Sequence, residues 1–238
     1  VNANGPLTVS GNVLADTDGA GGGGIYLINE AAGAPTTISG NLRVPAPFGS
    51  WIYVRALGPL TIAGNLGNAS GFVDVRNEGT GAGNFTDISG NIISGNGIHV
   101  GNGLSAAPNP LTISGNLTSG PAIVIDNYGT APSNTTTISG NVTSTGGDVY
   151  VNHFGSPTGM LTVSGSLSAW GDVEVFSAGH ARIGTLDAGF NILATVRGTS
   201  LAVDGPWTAG DYLRVDAPLA TTRLTPAGVL TAPSVDLV

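Results

Sequence analysis

The chain has 238 residues, 39 of them glycine, with no cysteine, no lysine, a net charge of −8 and only 9% charged side chains. So few cations exclude a binder of nucleic acid or anionic lipid, and the lack of cysteine excludes disulfides, thiolate catalysis and Cys-ligated zinc. At 41% hydrophobic the chain has a core to bury, yet no apolar run approaches the 18 residues of a bilayer-spanning helix, so no membrane insertion is expected.

In chain order, residues 7–13 read Leu-Thr-Val-Ser-Gly-Asn-Val, and the pattern returns at 36–42, 60–66, 86–92, 111–117, 136–142 and 161–167. The motif glycines Gly11, Gly40, Gly64, Gly90, Gly115, Gly140 and Gly165 are 24 to 29 residues apart, most often 25. Behind each motif comes a short alternating run: Ile-Tyr-Leu at 25–27, then 52–54, 73–75, 98–100, 123–125, 149–151 and 173–175. Period-two alternation of β-branched residues bounded by Gly, Asn and Ser predicts strands. Each repeat therefore holds a strand ending at Ser-Gly-Asn, a very short strand after it, and a third, clearer strand. Helical periodicity is nowhere sustained.

Strands this short cannot bury an apolar face alone, whereas stacked coils bury one continuous core. The expected fold is all-β: a single-stranded, right-handed parallel β-helix, its hand set by the chirality of parallel crossovers. A β-propeller blade needs about 40 residues, which the period excludes. From 181 to 238 the repeat shortens to about 20 residues, and 187–193, 208–214 and 231–237 align. The chain reads as one domain, 1–238, of about ten coils stacked over roughly 48 Å.

The Ser-Gly-Asn coils, and the shorter coils built on Thr-Ala-Gly-Asp-Tyr-Leu-Arg at 208–214, resemble the stalk repeats of filamentous-haemagglutinin-type exoproteins. Those are large bacterial adhesins exported by two-partner secretion, and autotransporter passengers share their architecture. The resemblance spans nearly the whole chain. It implies a secreted, cell-surface protein with a structural or adhesive role rather than a catalytic one.

Equivalent residues of successive coils form columns. Asn12, Asn41, Asn65, Asn91, Asn116 and Asn141 make one, expected as a buried hydrogen-bonding ladder in a bend that tolerates left-handed backbone. Asn29, Asn77, Asn102 and Asn127 make a second, continued by His153 and Ser177. Thr8, Thr37, Thr61, Thr112, Thr137 and Thr162 form an outward column whose Thr-x-Ser spacing raises ice binding as a reading, beside ordinary cross-coil threonine contacts.

Three histidines, His99, His153 and His180, are too far apart to share a metal ion at ligand distances. No cofactor motif is present. Asp148 and Asp172 sit in adjacent coils near Glu174, a spacing that would suit a retaining glycosidase. Gly-Asp recurs a third time at 210–211, however, which marks a turn residue rather than a catalytic pair. The outward positions of the third strand vary most and carry aromatic and basic residues. Tyr26, Tyr53, Arg55, Arg76, His99, Tyr150 and Phe176 are the candidate face for a glycan or protein ligand. The first coil opens within six residues and the last stops mid-coil without a cap. That pattern fits either continuation of a longer chain or head-to-tail stacking into a self-assembling extracellular filament.

Overall fold

In a computed structural model, which describes residues 1–15, 23–45, 49–103 and 106–238, the chain is all-β, its parallel strands stacked as a solenoid of about 9 turns. One coil shows the plan: Thr36–Ile38 lies on a first face, Leu42–Val44 on a second, and Trp51–Ala56 on a third. Third-face strands pair coil to coil into an 11-stranded parallel sheet from Asn2–Ala3 to Ser234–Leu237. The first and second faces belong together to an 18-stranded sheet folded along the Ser-Gly-Asn bend. At Met160–Ala169 and His180–Ala188 one long strand serves both faces. There Ser166 replaces the motif asparagine, and the register shifts between Val163 and Ser166.

Every second residue points inward, so each coil adds one rung to the core. Ile38, Ile62, Ile88, Ile113 and Ile138 stack along the first face; Leu42, Leu66, Ile92, Leu117 and Val142 stack along the second. All are fully buried. Each such side chain contributes about 1.5–3 kcal/mol over its exposed state. In the shorter coils the second-face rung after Leu186 is Trp207, whose indole nitrogen donates to the Gly184 carbonyl at 2.8 Å.

The bend glycines answer to crowding rather than to backbone angle. A Cβ on Gly40, Gly64, Gly90, Gly115 or Gly140 would lie 1.9–2.0 Å from the carbonyl oxygen of the preceding coil's glycine. No described non-glycine residue has positive φ, so the adjoining asparagines are not left-handed, contrary to expectation. They are also exposed rather than buried, because the bend turns their side chains out to solvent. The ladder itself is real. Each Oδ1 accepts the next asparagine's backbone N–H at 2.9 Å from Asn12 to Asn141, and Asn141 passes the pattern to Ser166.

The second asparagine column lies inside, at the corner between the third face and the next coil's first face. Asn29, Asn77, Asn102 and Asn127 are buried there. Asn29, Asn77 and Asn127 donate Nδ2 to the hydroxyls of Thr36, Thr86 and Thr136 at 3.0–3.1 Å. The first-face position that carries those threonines alternates with leucine, running Thr36, Leu60, Thr86, Leu111, Thr136, Leu161. His153 continues the corner column, with Nδ1 3.0 Å from the Thr136 hydroxyl. Its Nε2 is buried without a partner among the described residues.

The last coil departs from the expected alignment. Thr208 pairs with Thr231 as anticipated, but Tyr212 pairs with Ser234 and Arg214 with Asp236, one residue earlier than the motif alignment gives. The turn after Thr231 is one residue shorter than the one after Thr208.

Candidate ligand-binding face

Three outward columns run along the third face, and pairing fixes which residues share a row. Trp51, Tyr53 and Arg55 lie beside Phe72, Asp74 and Arg76; then come Gly97, His99 and Gly101, followed by Ala122, Val124 and Asp126. In the first column the large Trp51 and Phe72 give way to Gly97 and Ala122. The drop produces a cleft of about 450 Å³ lined by Trp51, Phe72, Asp74, His99, Ala122 and Val124, with Arg76 and Asn96 also on its wall. The Trp51 and Phe72 rings stack, centroids 4.9 Å apart and 20° from parallel. Phe72 leans over Gly97, where a Cβ would lie 2.7 Å from its ring, and Gly97 has φ of +135°. A side chain there would collide and strain the backbone.

Charges knit the middle of the face across three successive coils. Arg76 Nε donates to both Asp74 oxygens at 3.0 Å, and its Nη2 lies 2.9 Å from Oδ2. His99 Nδ1 lies 2.8 Å from Asp74 Oδ1, and Nε2 lies 3.5 Å from Asp126 Oδ2 in the following coil. Asp126 also accepts from Asn152 Nδ2 at 2.8 Å and from the Tyr128 hydroxyl at 3.3 Å. Asp74 is only 5% exposed and Asp126 only 8%. Held by Asp126 and Asp74 against the cost of burial, the His99 imidazole is pushed up to about 9 and is cationic at neutral pH. Burial alone would raise the Asp74 carboxyl, but His99 and Arg76 outweigh it and hold it below its ordinary value. Asp126 behaves likewise, with burial opposed by His99 and Asn152.

Of the seven face residues picked from sequence, the structure brings Arg76 and His99 into the cleft. Tyr53 pairs in register with Asp74 beside them. Tyr26 extends the row with its ring centroid 6.4 Å from that of Tyr53. Arg55 is engaged by Glu78 at 2.7 Å. Tyr150 and Phe176 lie apart from the cleft. The Tyr150 hydroxyl donates to Asp148 at 2.9 Å, and Phe176 ends an aromatic row with Phe154 and Tyr128. Sequence reading missed Trp51 and Phe72, which stand two positions before Tyr53 and Asp74 in the same alternation. It also missed Asp126 as the partner of His99.

The carboxylates weighed as a catalytic pair are occupied with backbone. Asp148 Oδ1 accepts the Asp172 N–H at 2.9 Å, and Asp172 Oδ1 accepts the Asn191 N–H at 2.9 Å. Burial raises the Glu174 carboxyl, and Asp172 and Asp148 add to the shift. The histidines face different ways, His99 outward and His153 into the core, and no cluster of three or more metal-ligating groups occurs among the described residues. Among the described residues, no helix is long and apolar enough to cross a membrane. Comparison with family models, with curated proteins and with solved structures gives no match.

Proposed function

We propose that this chain is a non-catalytic stalk segment of a large secreted bacterial surface adhesin, with the third face as its binding surface. The observation that carries the reading is chemical segregation around the coil. The Ser-Gly-Asn bend repeats the same side chains and ties coil to coil through its asparagine ladder. The third face instead changes from row to row and carries ion pairs built on a buried aspartate together with tilted and stacked aromatic pairs. A scaffold needs the first kind of surface, and recognition needs the second. The resemblance to exoprotein stalk repeats points the same way.

The test is adhesion of beads coated with the chain to mucin and to epithelial cells. A control carries Trp51→Ala, Tyr53→Ser and Arg76→Ser together. Attachment by the parent and its loss in the folded control are expected. Equal attachment by both would overturn the assignment of the face. Degradation of an acidic polysaccharide, abolished by Asp148→Asn or Asp172→Asn, would replace the adhesin reading with an enzymatic one.

A further inference from the structure

The cleft between the Trp51–Phe72 stack and the Ala122–Val124 shelf has a more specific chemistry than the face around it. Its size falls within the range of small-molecule sites, with room for one or two sugar rings. One wall is a pair of nearly parallel aromatic rings, both more than a third exposed. An aromatic face carries partial negative charge and attracts the weakly positive C–H edges of a saccharide ring. At the other side, Arg76 spends Nε and Nη2 on Asp74, so Nη1 remains to donate, and Asn96 offers a carboxamide that can donate and accept.

The electrostatics select against a charged guest. Arg76 and His99 are balanced by Asp74 and Asp126 in one connected network. A carboxylate or ammonium ligand would meet no net opposite charge and would lose its hydration. A polyol with an apolar side meets what the cleft supplies.

We propose that this cleft binds a neutral pyranose residue of a glycan, with the sugar's C–H side on Trp51 and Phe72 and its hydroxyls on Arg76 and Asn96. The assignment deepens the adhesin reading by naming the ligand class, and it rests on the third face being the binding surface.

The probe is a panel of methyl gluco-, galacto- and mannopyranosides, titrated into the folded chain while the indole N–H signals are followed by NMR. The three tryptophans supply internal controls, because Trp207 is fully buried and Trp170 is exposed away from the cleft. A saturable shift of the Trp51 signal by at least one glycoside is expected, with a Kd of about 1–10 mM, as suits a small ligand with few hydrogen bonds. Ala122→Phe or Val124→Tyr, each filling the cleft from its shelf, should weaken binding at least tenfold without changing Tm.

The proposal is overturned if no glycoside shifts Trp51 at about 50 mM, well above the expected Kd. Equal shifts at Trp170, or tighter binding of a methyl glucuronide or sialoside, would overturn it too. The two readings separate cleanly. Adhesion that survives Ala122→Phe but not resurfacing of the face keeps the adhesin and removes this site. Saccharide binding without adhesion keeps the site and removes the adhesin.

Discussion

The His99 imidazole lies over Gly101, so close that a Cβ there would sit 2.9 Å from Cε1 and 3.2 Å from Nε2. Gly101 occupies the column position between Arg76 and Asp126. Its missing side chain is the space through which His99 reaches the next coil. Gly101→Ala should push the ring off Asp126 and let its pKa fall from about 9 toward 6.5. The stability loss should be only about 1 kcal/mol, since the obstacle is a side chain that can turn away. A histidine NMR titration checks the first outcome and a urea melt the second. An unchanged pKa in a folded variant would show that Gly101 is not what admits the ring.

Two histidines bend the pH profile in opposite directions. His99 is raised to about 9, so its contribution is complete below its unfolded value of 6.5 and is lost as pH rises through 9. Burial lowers His153 to about 4, so the folded state binds fewer protons than the unfolded one and stability falls as pH drops from 6.5 toward 4. Maximum stability is expected near pH 6.5, with each limb worth at most about 3 kcal/mol and the His99 limb less, since solvent screens its partly exposed ring. Urea denaturation at several pH values should show His99→Gln flattening the alkaline limb and His153→Leu flattening the acid one.

The two asparagine columns should respond differently to truncation. Asn116 lies on the exposed ladder, where water replaces a lost amide, so Asn116→Ala should cost about 0.5–1 kcal/mol. Asn127 is fully buried. It donates to the Thr135 carbonyl and the Thr136 hydroxyl, and accepts from the Gly129 N–H and Asn134. Asn127→Ala strands these groups and should cost about 2–4 kcal/mol. Equal costs in denaturant melts would contradict the inside–outside assignment.

Chemically identical substitutions in the bend column should diverge as sharply. Gly115→Ala places a methyl group 2.0 Å from the Gly90 carbonyl oxygen, an obstacle of backbone that cannot swing aside. The loss should exceed about 3 kcal/mol or abolish folding. At Gly11 a Cβ meets nothing within 4 Å, and Gly11→Ala should fall within about 0.5 kcal/mol of the parent. Expression level and Tm of the pair decide the point.

The coil plan was legible because a solenoid writes its tertiary structure as sequence period. Once Gly40, Gly64 and Gly90 are aligned, the rows of Tyr53, Asp74, His99 and Val124 follow, and the structure keeps that register. What the alignment hides is how far side chains reach between columns. His99 and Asp126 stand in different outward columns and different coils, and only the absent Cβ of Gly101 joins them. Trp51 and Phe72 were hidden differently, because turn residues before Ile52 and Val73 masked the start of the alternation. The bend asparagines show the reverse error. Residue type suggested left-handed backbone and burial, but close approach of neighbouring coils, carried by glycine, governs that corner.

The alternation of Thr36, Leu60, Thr86, Leu111, Thr136 and Leu161 makes the growth unit of this column two coils rather than one. The threonines fall 50 residues apart, while the asparagines that face them, Asn77, Asn102 and Asn127, recur in successive coils. Excising residues 86–110 would bring Leu111 beneath Asn77 and remove the hydroxyl its carboxamide donates to. Excising 86–135 would bring Thr136 into that place and restore the bond. Duplication or loss in steps of one coil therefore puts the interior out of phase, while steps of two preserve it. Related solenoids should change length in steps of about 10 Å, one pair of coils at the strand spacing, and single-coil variants should be the ones that fail to accumulate.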